Sequence, residues 1–244
     1  MTEPPPPPRA VAVVIPAKDE ADRIAVTVAS AAGIPGVDLV VVVDDGSRDA
    51  TGQVAREAGA VVVRHPRNRG KAAAMETGAA AVEVREQHTG EVPRALLFVD
   101  ADLGETAAGT APLVAPVLAG EADMTIAVLP VQKSAGGGRG LVVNLAREGI
   151  ERLTGWTPTQ PLSGMRCLTR EAFEAARPLA AGWGVETGLT IDLLRSGHRV
   201  VEVPCDLHHR VTGTDLRAQL HRATQYRDVA RALLVRRLRA LRRR

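Results

Sequence analysis

The first hundred residues alternate four times between a short apolar run and a segment with a helical pattern. The apolar runs are rich in Val, Leu and Ile, and they occupy residues 10–15, 39–43, 60–63 and 95–99. Strands buried on both faces read as continuous apolar runs, and strand–helix alternation is typical of a mostly parallel sheet. We therefore predict an α/β fold, in one domain, with helices flanking a central sheet.

Composition agrees with such a core, because hydrophobic residues make up 45% of the chain and aromatic residues only 2%. Cys167 and Cys205 match no zinc spacing, and we expect both to be buried. No apolar run approaches the ~20 residues of a membrane span. No apolar segment of signal-peptide type precedes the first predicted strand. We expect a cytoplasmic protein.

Polar clusters follow three of the predicted strands, at 16–20, 44–47 and 100–102. In open α/β sheets, ligands bind beyond the carboxyl ends of the strands. Asp100-Ala101-Asp102 supplies two carboxylates that can hold a hard cation, and such a cation can neutralise the charge of a departing diphosphate. The same residues could also form a solvated turn.

Two further motifs can approach an anionic ligand. Gly46, after Asp44-Asp45, lets backbone come close to a ligand, although this segment also suits a turn or a helix cap. Lys71 follows Gly70 in the first turn of a predicted helix, where backbone N–H groups favour anions. A solvated basic loop is the alternative there.

In series, these motifs resemble the family 2-like glycosyltransferases of the GT-A fold. The matching segments are VVIPAKDE (13–20), VDDGSRDAT (43–51), NRGK (68–71) and FVDAD (98–102). The resemblance implies that Asp102 holds Mg²⁺ or Mn²⁺. It also implies that the nucleotide diphosphate sugar is bound by Pro16, Ala17, Glu20, Asp45, Gly46, Lys71, Asp100 and Ala101, with Asp45 near the base or ribose.

The second half resembles the glucosyl-3-phosphoglycerate synthases in GGGR (136–139), QPLSG (160–164), GWGVETGLTID (182–192) and HR (209–210). The resemblance implies that Gly138 and Arg139 hold the acceptor phosphate, that Glu186 contacts the transferred sugar, and that His209 completes the metal site. Leu141 stands where that family has a hydroxyl residue. SGMR (163–166) equally resembles the polyprenyl-phosphate sugar transferases, and it places Ser163 on the acceptor side.

We therefore expect a metal-dependent hexosyltransferase that moves glucose from UDP-glucose to a phosphorylated small acceptor such as 3-phosphoglycerate. The alternative acceptor is a polyprenyl phosphate at a membrane surface. Asp102, Glu186 and Arg139 are the expected catalytic residues, and retention of configuration is favoured. A sugar nucleotidyltransferase usually carries a Gly- and Arg-rich loop after its first strand, where this chain has PAKDE (16–20). A non-catalytic binding module would not need metal ligands.

The chain ends in a basic segment, with ten arginines and one acid between residues 217 and 244. Its charge is +9, so the remaining chain carries −6. The apolar spacing from Leu220 to Leu238 predicts an amphipathic helix that could lie on anionic lipid or pack on protein. Nucleic-acid binding is not expected, and a homodimer is left open.

These motifs divide the chain into a disordered proline-rich leader, a nucleotide-sugar-binding half, an acceptor-binding half of the same domain, and the basic helix. We place these parts at 1–9, 10–130, 131–214 and 215–244, respectively.

Overall fold

The computed structural model describes residues 8, 10–90, 92–130, 139–207 and 216–241. Seven strands form one sheet: β1 Val11–Ala17, β2 Val37–Asp44, β3 Val61–Arg64, β4 Ala95–Phe98, β5 Met124–Val128, β6 Arg166–Leu168 and β7 Val200–Pro204. The sheet order is β3-β2-β1-β4-β6-β5-β7. Only β6 runs antiparallel to its neighbours, β4 and β5. The prediction of an α/β fold with a mostly parallel sheet is therefore confirmed.

Eight α-helices flank the sheet within the described ranges: α1 Ile24–Ala32, α2 Thr51–Glu57, α3 Lys71–Thr89, α4 Val114–Leu118, α5 Arg139–Thr154, α6 Arg170–Ala175, α7 Val185–Arg195 and α8 Leu216–Leu241. Two 3₁₀ segments, Gly104–Leu113 and Gly182–Gly184, precede α4 and α7. None of the described helices is apolar over a length sufficient to cross a bilayer.

The core lies on both faces of the sheet, as strand β1 shows. Val11, Val13 and Ile15 pack into the cluster beneath α1 and α2. Ala12 and Val14 point to the opposite cluster, beneath α3 and α7. Both cysteines are buried as predicted. Burial raises the pKa of both thiols, that of Cys205 to about 11.

The sequence pattern predicts a first helix over Asp19–Ala32, but the helix begins only at Ile24. Asp19 has a φ of 56°, outside the helical region, and its backbone N–H donates to Ser47 Oγ at 3.0 Å. The N–H of Glu20 likewise donates to Thr51 Oγ1 at 2.8 Å. Contacts with the loop after β2 thus replace the first helical turn. A second difference concerns the glycine-rich segment 134–140, which the sequence predicts as a loop, whereas its last two residues, Arg139 and Gly140, begin α5.

Helix α8 is docked on the domain by an unexpected face. Arg236 is buried, and it donates to the carbonyl of Gly188 at 3.2 Å and to the carboxylate of Asp192. Four glycines allow this close approach, because a Cβ atom at any of them would clash with α8. They lie in α5, in the 3₁₀ segment before α7 and in α7 itself: Gly149, Gly182, Gly184 and Gly188. The predicted apolar stripe therefore lies largely on the outside, where Tyr226, Leu234 and Leu238 are 47–57% exposed.

Helix α3 depends on a similar close contact with the sheet at Gly78. A Cβ atom there would clash with Val14 of β1 and press on Val43 of β2. We expect Gly78→Ala to lower the free energy of unfolding by about 1–3 kcal/mol, because overpacking outweighs the helix propensity gained. Urea unfolding would measure it. Ala80→Val on the exposed side of α3 is the control; equal effects of the two substitutions would contradict this packing.

Candidate active site

The acidic turn after β4 is held from below by α1. Thr27 is fully buried, and its hydroxyl donates to the carbonyl of Ala101 at 2.9 Å. The same oxygen accepts from the backbone N–H of Gly104 at 2.9 Å. Arg23 donates to the carbonyl of Asp102 at 3.2 Å. Thr27 of α1 and Arg23, just before it, therefore fix the backbone of this turn.

Lys71 joins two acidic side chains that are far apart in the sequence. Its Nζ lies 2.8 Å from Asp100 Oδ1 and 3.0 Å from Glu186 Oε1. Burial lowers the pKa of Lys71, but the charges of Asp100 and Glu186 more than offset it, so the pKa is raised overall. The first turn of α3, the end of β4 and the first turn of α7 therefore meet at one charged centre.

A cleft of about 100 Å³ opens beside this centre. Its lining combines the charged cluster with apolar and neutral polar groups from three other parts of the chain: Lys71, Asp100, Glu186, Gly164, Leu162, Val142, Trp183, Gln225 and Val229. A Cβ atom at Gly164 would lie about 3 Å from both carboxylate oxygens of Asp100 and would clash with Lys71. Glycine at this position therefore leaves the room that the charged cluster needs.

The turn at 161–164 is fixed by Arg166, which the sequence analysis did not single out as a site residue. The Arg166 side chain is buried, and it donates to the carbonyls of Ser163 at 2.8 Å and Pro161 at 3.3 Å. It also donates to Thr190 Oγ1 in α7 at 2.8 Å. Burial lowers the pKa of Arg166 to about 10, although the carboxylates of Glu186 and Glu202 act in the opposite direction. Arg166 thus ties the turn to the helix that carries Glu186.

Ser163, assigned from the sequence to the acceptor side, lies in this turn. It is only 9% exposed, and no described residue hydrogen bonds to its Oγ. The preceding segment is held by Glu202, which accepts from the N–H groups of Thr159 and Gln160 at 2.8 Å each. The turn is therefore held at both ends, and none of the described residues uses the hydrogen-bonding capacity of the buried Ser163 hydroxyl.

The loops after β1 and β2 lie side by side at the same edge of the sheet. The N–H of Asp45 donates to the carbonyl of Ala17 at 2.8 Å, one residue after Pro16. Glu20 is joined to Thr51 as described above. Pro16, Ala17, Glu20 and Asp45 are thus brought together, as the motif order predicts for the carboxyl ends of neighbouring strands.

Asp45 is almost fully occupied by the protein itself. Its carboxylate accepts from the backbone N–H groups of Arg69 and Gly70 at 2.8 Å each, and it lies 2.7 Å from Nδ1 of His65. Gly46, with a φ of 74°, packs against the backbone at Arg67 and Asn68, where a Cβ atom would lie 2.7 Å away. The close approach expected of Gly46 is therefore to the loop that leads to Lys71.

Asp102 differs from Asp100 in its surroundings. Its side chain is half-buried, and within the described ranges no hydrogen bond or ion pair engages its carboxylate. The described residues contain no group of three or more His, Cys, Asp or Glu side chains that could hold a metal ion. His209 and Gly138 lie outside those residues, and only the backbone of Arg139 is described, at the start of α5.

Sequence reasoning missed four residues that shape the site: Thr27, Arg166, Trp183 and Gln225. Arg166 and Trp183 fall inside the SGMR and GWG segments, so the motif itself was a usable signal. Thr27 and Gln225 lie in helices that the sequence predicts only from the spacing of apolar residues. That spacing does not distinguish these two polar positions from others in the same helices.

Comparison with known proteins agrees with this geometry. The model of the family "Glycosyl transferase family 2" matches residues 12–176. Glycosyltransferase AglJ of Haloferax volcanii is 30% identical over 218 residues, covering 86% of this chain and 67% of AglJ. Glucosyl-3-phosphoglycerate synthase of Mycolicibacterium paratuberculosis is 33% identical over 208 residues, covering 75% of this chain and 60% of the synthase.

Solved structures of the Mycobacterium tuberculosis glucosyl-3-phosphoglycerate synthase share the fold. The complex with phosphoglyceric acid superposes with a TM-score of 0.75 at 29% identity, covering 93% of this chain and 80% of the synthase. The complex with Mn²⁺, UDP and phosphoglyceric acid gives a TM-score of 0.74 at 29% identity, covering 93% of this chain and 78% of the synthase. With the GT-A-like sheet and the matched family model, these similarities establish that the chain belongs to glycosyl transferase family 2.

Proposed function

We propose that this chain transfers glucose from UDP-glucose to a phosphorylated small acceptor such as 3-phosphoglycerate. The observation that carries the proposal is the cluster of Lys71, Asp100 and Glu186 at the carboxyl edge of the sheet. The cluster joins Lys71 and Asp100, from motifs expected to face the nucleotide diphosphate, with Glu186, which is expected to contact the transferred sugar. The synthase structures that share the fold were solved with UDP-glucose and phosphoglyceric acid, which supports this donor and acceptor.

A divalent cation, Mg²⁺ or Mn²⁺, fits the carboxylate of Asp102. Asp100 is already paired with Lys71, whereas no described residue pairs with the Asp102 carboxylate. Leu207 supports His209 as the second ligand, because it packs in the same core cluster as Ala101 and Leu103, on either side of Asp102. When bound, the cation would offset negative charge on the leaving nucleotide diphosphate.

Glu186 is suited to holding a sugar hydroxyl more than to acting as a general base. Its side chain is 7% exposed and its carboxylate is paired with Lys71, so taking a proton from an acceptor would disrupt that ion pair. We therefore propose retention of configuration, with Glu186 orienting the donor. Lys71 contributes a positive charge that faces the diphosphate and keeps both carboxylates in place.

The acceptor phosphate is assigned to the start of α5. Arg139 begins this 16-residue helix, and backbone N–H groups at a helix N-terminus favour anions. Val142, one turn further on, lines the cleft, so the first turn of α5 lies beside the reacting groups. Gly138 and Arg139 would hold the phosphate there, and Ser163, next to the cleft-lining Gly164, is assigned to the same acceptor side.

A polyprenyl phosphate is the second candidate acceptor, and the outward face of α8 favours it. We define this outward face as Tyr226, Arg227, Arg231, Leu234, Arg237 and Leu238, all exposed. Apolar side chains among arginines suit the boundary of an anionic lipid layer. Peripheral membrane contact through this face would bring the cleft, which α8 also lines, close to a lipid-linked acceptor. Pairing of two copies through the same face is the alternative.

We expect Asp102→Asn to lower kcat by about 10²–10³-fold while leaving the fold intact, because metal stabilisation of the leaving group contributes several kcal/mol. Release of UDP with Mg²⁺ or Mn²⁺ would measure it, and the melting temperature would check the fold. Glu105→Gln, on the exposed surface three residues beyond Asp102, is the matched control. Unchanged turnover in Asp102→Asn would remove the metal assignment.

The acceptor is decided by a panel of UDP-, GDP- and dTDP-sugars with 3-phosphoglycerate or a polyprenyl phosphate. The first proposal expects nucleotide release from UDP-glucose to rise on addition of 3-phosphoglycerate, with a glycosylated product of retained configuration by NMR. If only the polyprenyl phosphate stimulates nucleotide release, the second candidate acceptor replaces the first. If no sugar nucleotide gives nucleotide release with either acceptor, glycosyl transfer is rejected.

Binding to the lipid surface is tested with sedimented vesicles containing anionic phosphatidylserine or only neutral lipid. We expect binding to the anionic vesicles, weakened about fivefold for each arginine removed by Arg231→Gln and Arg237→Gln, since each contributes about 1 kcal/mol near such a surface. Glu57→Gln on the distant helix α2 is the control. Equal binding to both vesicles, or a dimer in light scattering that those substitutions disrupt, would contradict membrane docking.

A further inference from the structure

Helix α8 contributes two residues to the cleft at the charged centre, Gln225 and Val229. They lie on the inward face of α8, one turn apart, and Val229 is fully buried. The outward face described above is on the other side of the helix. The family model ends at residue 176, so this part of the cleft wall lies outside the region that the model matches.

The position of this wall is fixed by two contacts of α8 that follow Gln225 in the helix. Asp228 accepts from the backbone N–H of Trp183 at 3.2 Å, which joins α8 to the segment just before Glu186. Further along, buried Arg236 binds the carboxylate of Asp192 in the same helix as Glu186. Gln225 is therefore held at a set distance from the reacting groups.

The chemistry of the wall suits a sugar ring more than a phosphate. Gln225 carries a neutral amide that both donates and accepts hydrogen bonds, as a sugar hydroxyl does, and none of the described residues hydrogen bonds to it. Trp183, 39% exposed at the same cleft, offers an aromatic face for the apolar side of a ring. Phosphate recognition would instead favour arginine or lysine at the position of Gln225.

We infer that Gln225 recognises hydroxyl groups of the transferred sugar and thereby helps to select the donor. Both Glu186, from α7, and Gln225, from α8, line the cleft in which the sugar would lie. This inference rests on the proposed function, because it assumes a nucleotide sugar whose sugar occupies the cleft. It adds a donor-selecting residue from a helix whose arginine-rich composition suggests only surface contacts.

The test compares the wild-type protein with Gln225→Met, which keeps the side-chain length and removes the hydrogen bonds. We expect kcat/KM for the preferred UDP-hexose to fall about tenfold, the loss of one or two hydrogen bonds, with a smaller fall for a deoxy or pentose donor that lacks the recognised hydroxyl. The Kd of UDP alone, measured by calorimetry, should not change. Gln53→Met, the same substitution on the exposed side of α2, should behave as wild type.

The outcomes separate the inference from the proposed function. If the wild-type protein is active and Gln225→Met keeps both its rate and its donor preference, the inference is wrong and the proposed function stands. If Kd for UDP weakens as much as for UDP-glucose, Gln225 acts on the structure of the cleft and selects nothing. If the wild-type protein neither binds nor turns over any nucleotide sugar, both fail.

Discussion

The site depends on one partly buried ammonium group, that of Lys71, between two carboxylates. Without Lys71, Asp100 and Glu186 would be close neighbours of like charge in a partly desolvated cleft, an arrangement that strongly disfavours ionisation of both. With Lys71 present, the first turns of α3 and α7 and the end of β4 are drawn to one point. Much of the surrounding structure keeps α3, α7 and the end of β4 in these positions.

Two supports serve this purpose. Below the cluster, Thr27 of α1 and Arg23, the residue just before α1, hold the backbone of the acidic turn. Beside it, buried Arg166 binds both the turn at 161–164 and Thr190 in α7. A buried arginine without a direct ion pair is costly, so its several hydrogen bonds and the nearby carboxylates are what make its position tolerable. The sheet and its helices together form a scaffold for loops that would otherwise be mobile.

Much of the first half could be predicted from the sequence, because continuous apolar runs such as 39–43 have few alternatives to a buried strand. The placement of both Lys71 and Asp100 at the carboxyl edge of the sheet also follows from the motif order, but the ion pair between them was not predicted. The 3₁₀ segment Gly104–Leu113 was missed, because its Gly, Ala and Thr residues show no apolar period. The contribution of α8 could not be predicted either: Arg236 is buried only because Asp192, 44 residues earlier, lies opposite it.

The attachment of α8 by glycine contacts and a buried ion pair has a consequence for how this protein can fail. Such a helix can detach as a unit at a lower free energy than the sheet requires to unfold, since cooperative segments open independently. Loss of α8 would remove one side of the cleft while the seven strands stayed paired. Mild heat or a damaging substitution near Gly188 would therefore abolish activity while the sheet is still folded, and far-UV circular dichroism would record only the partial loss of helix that comes from α8.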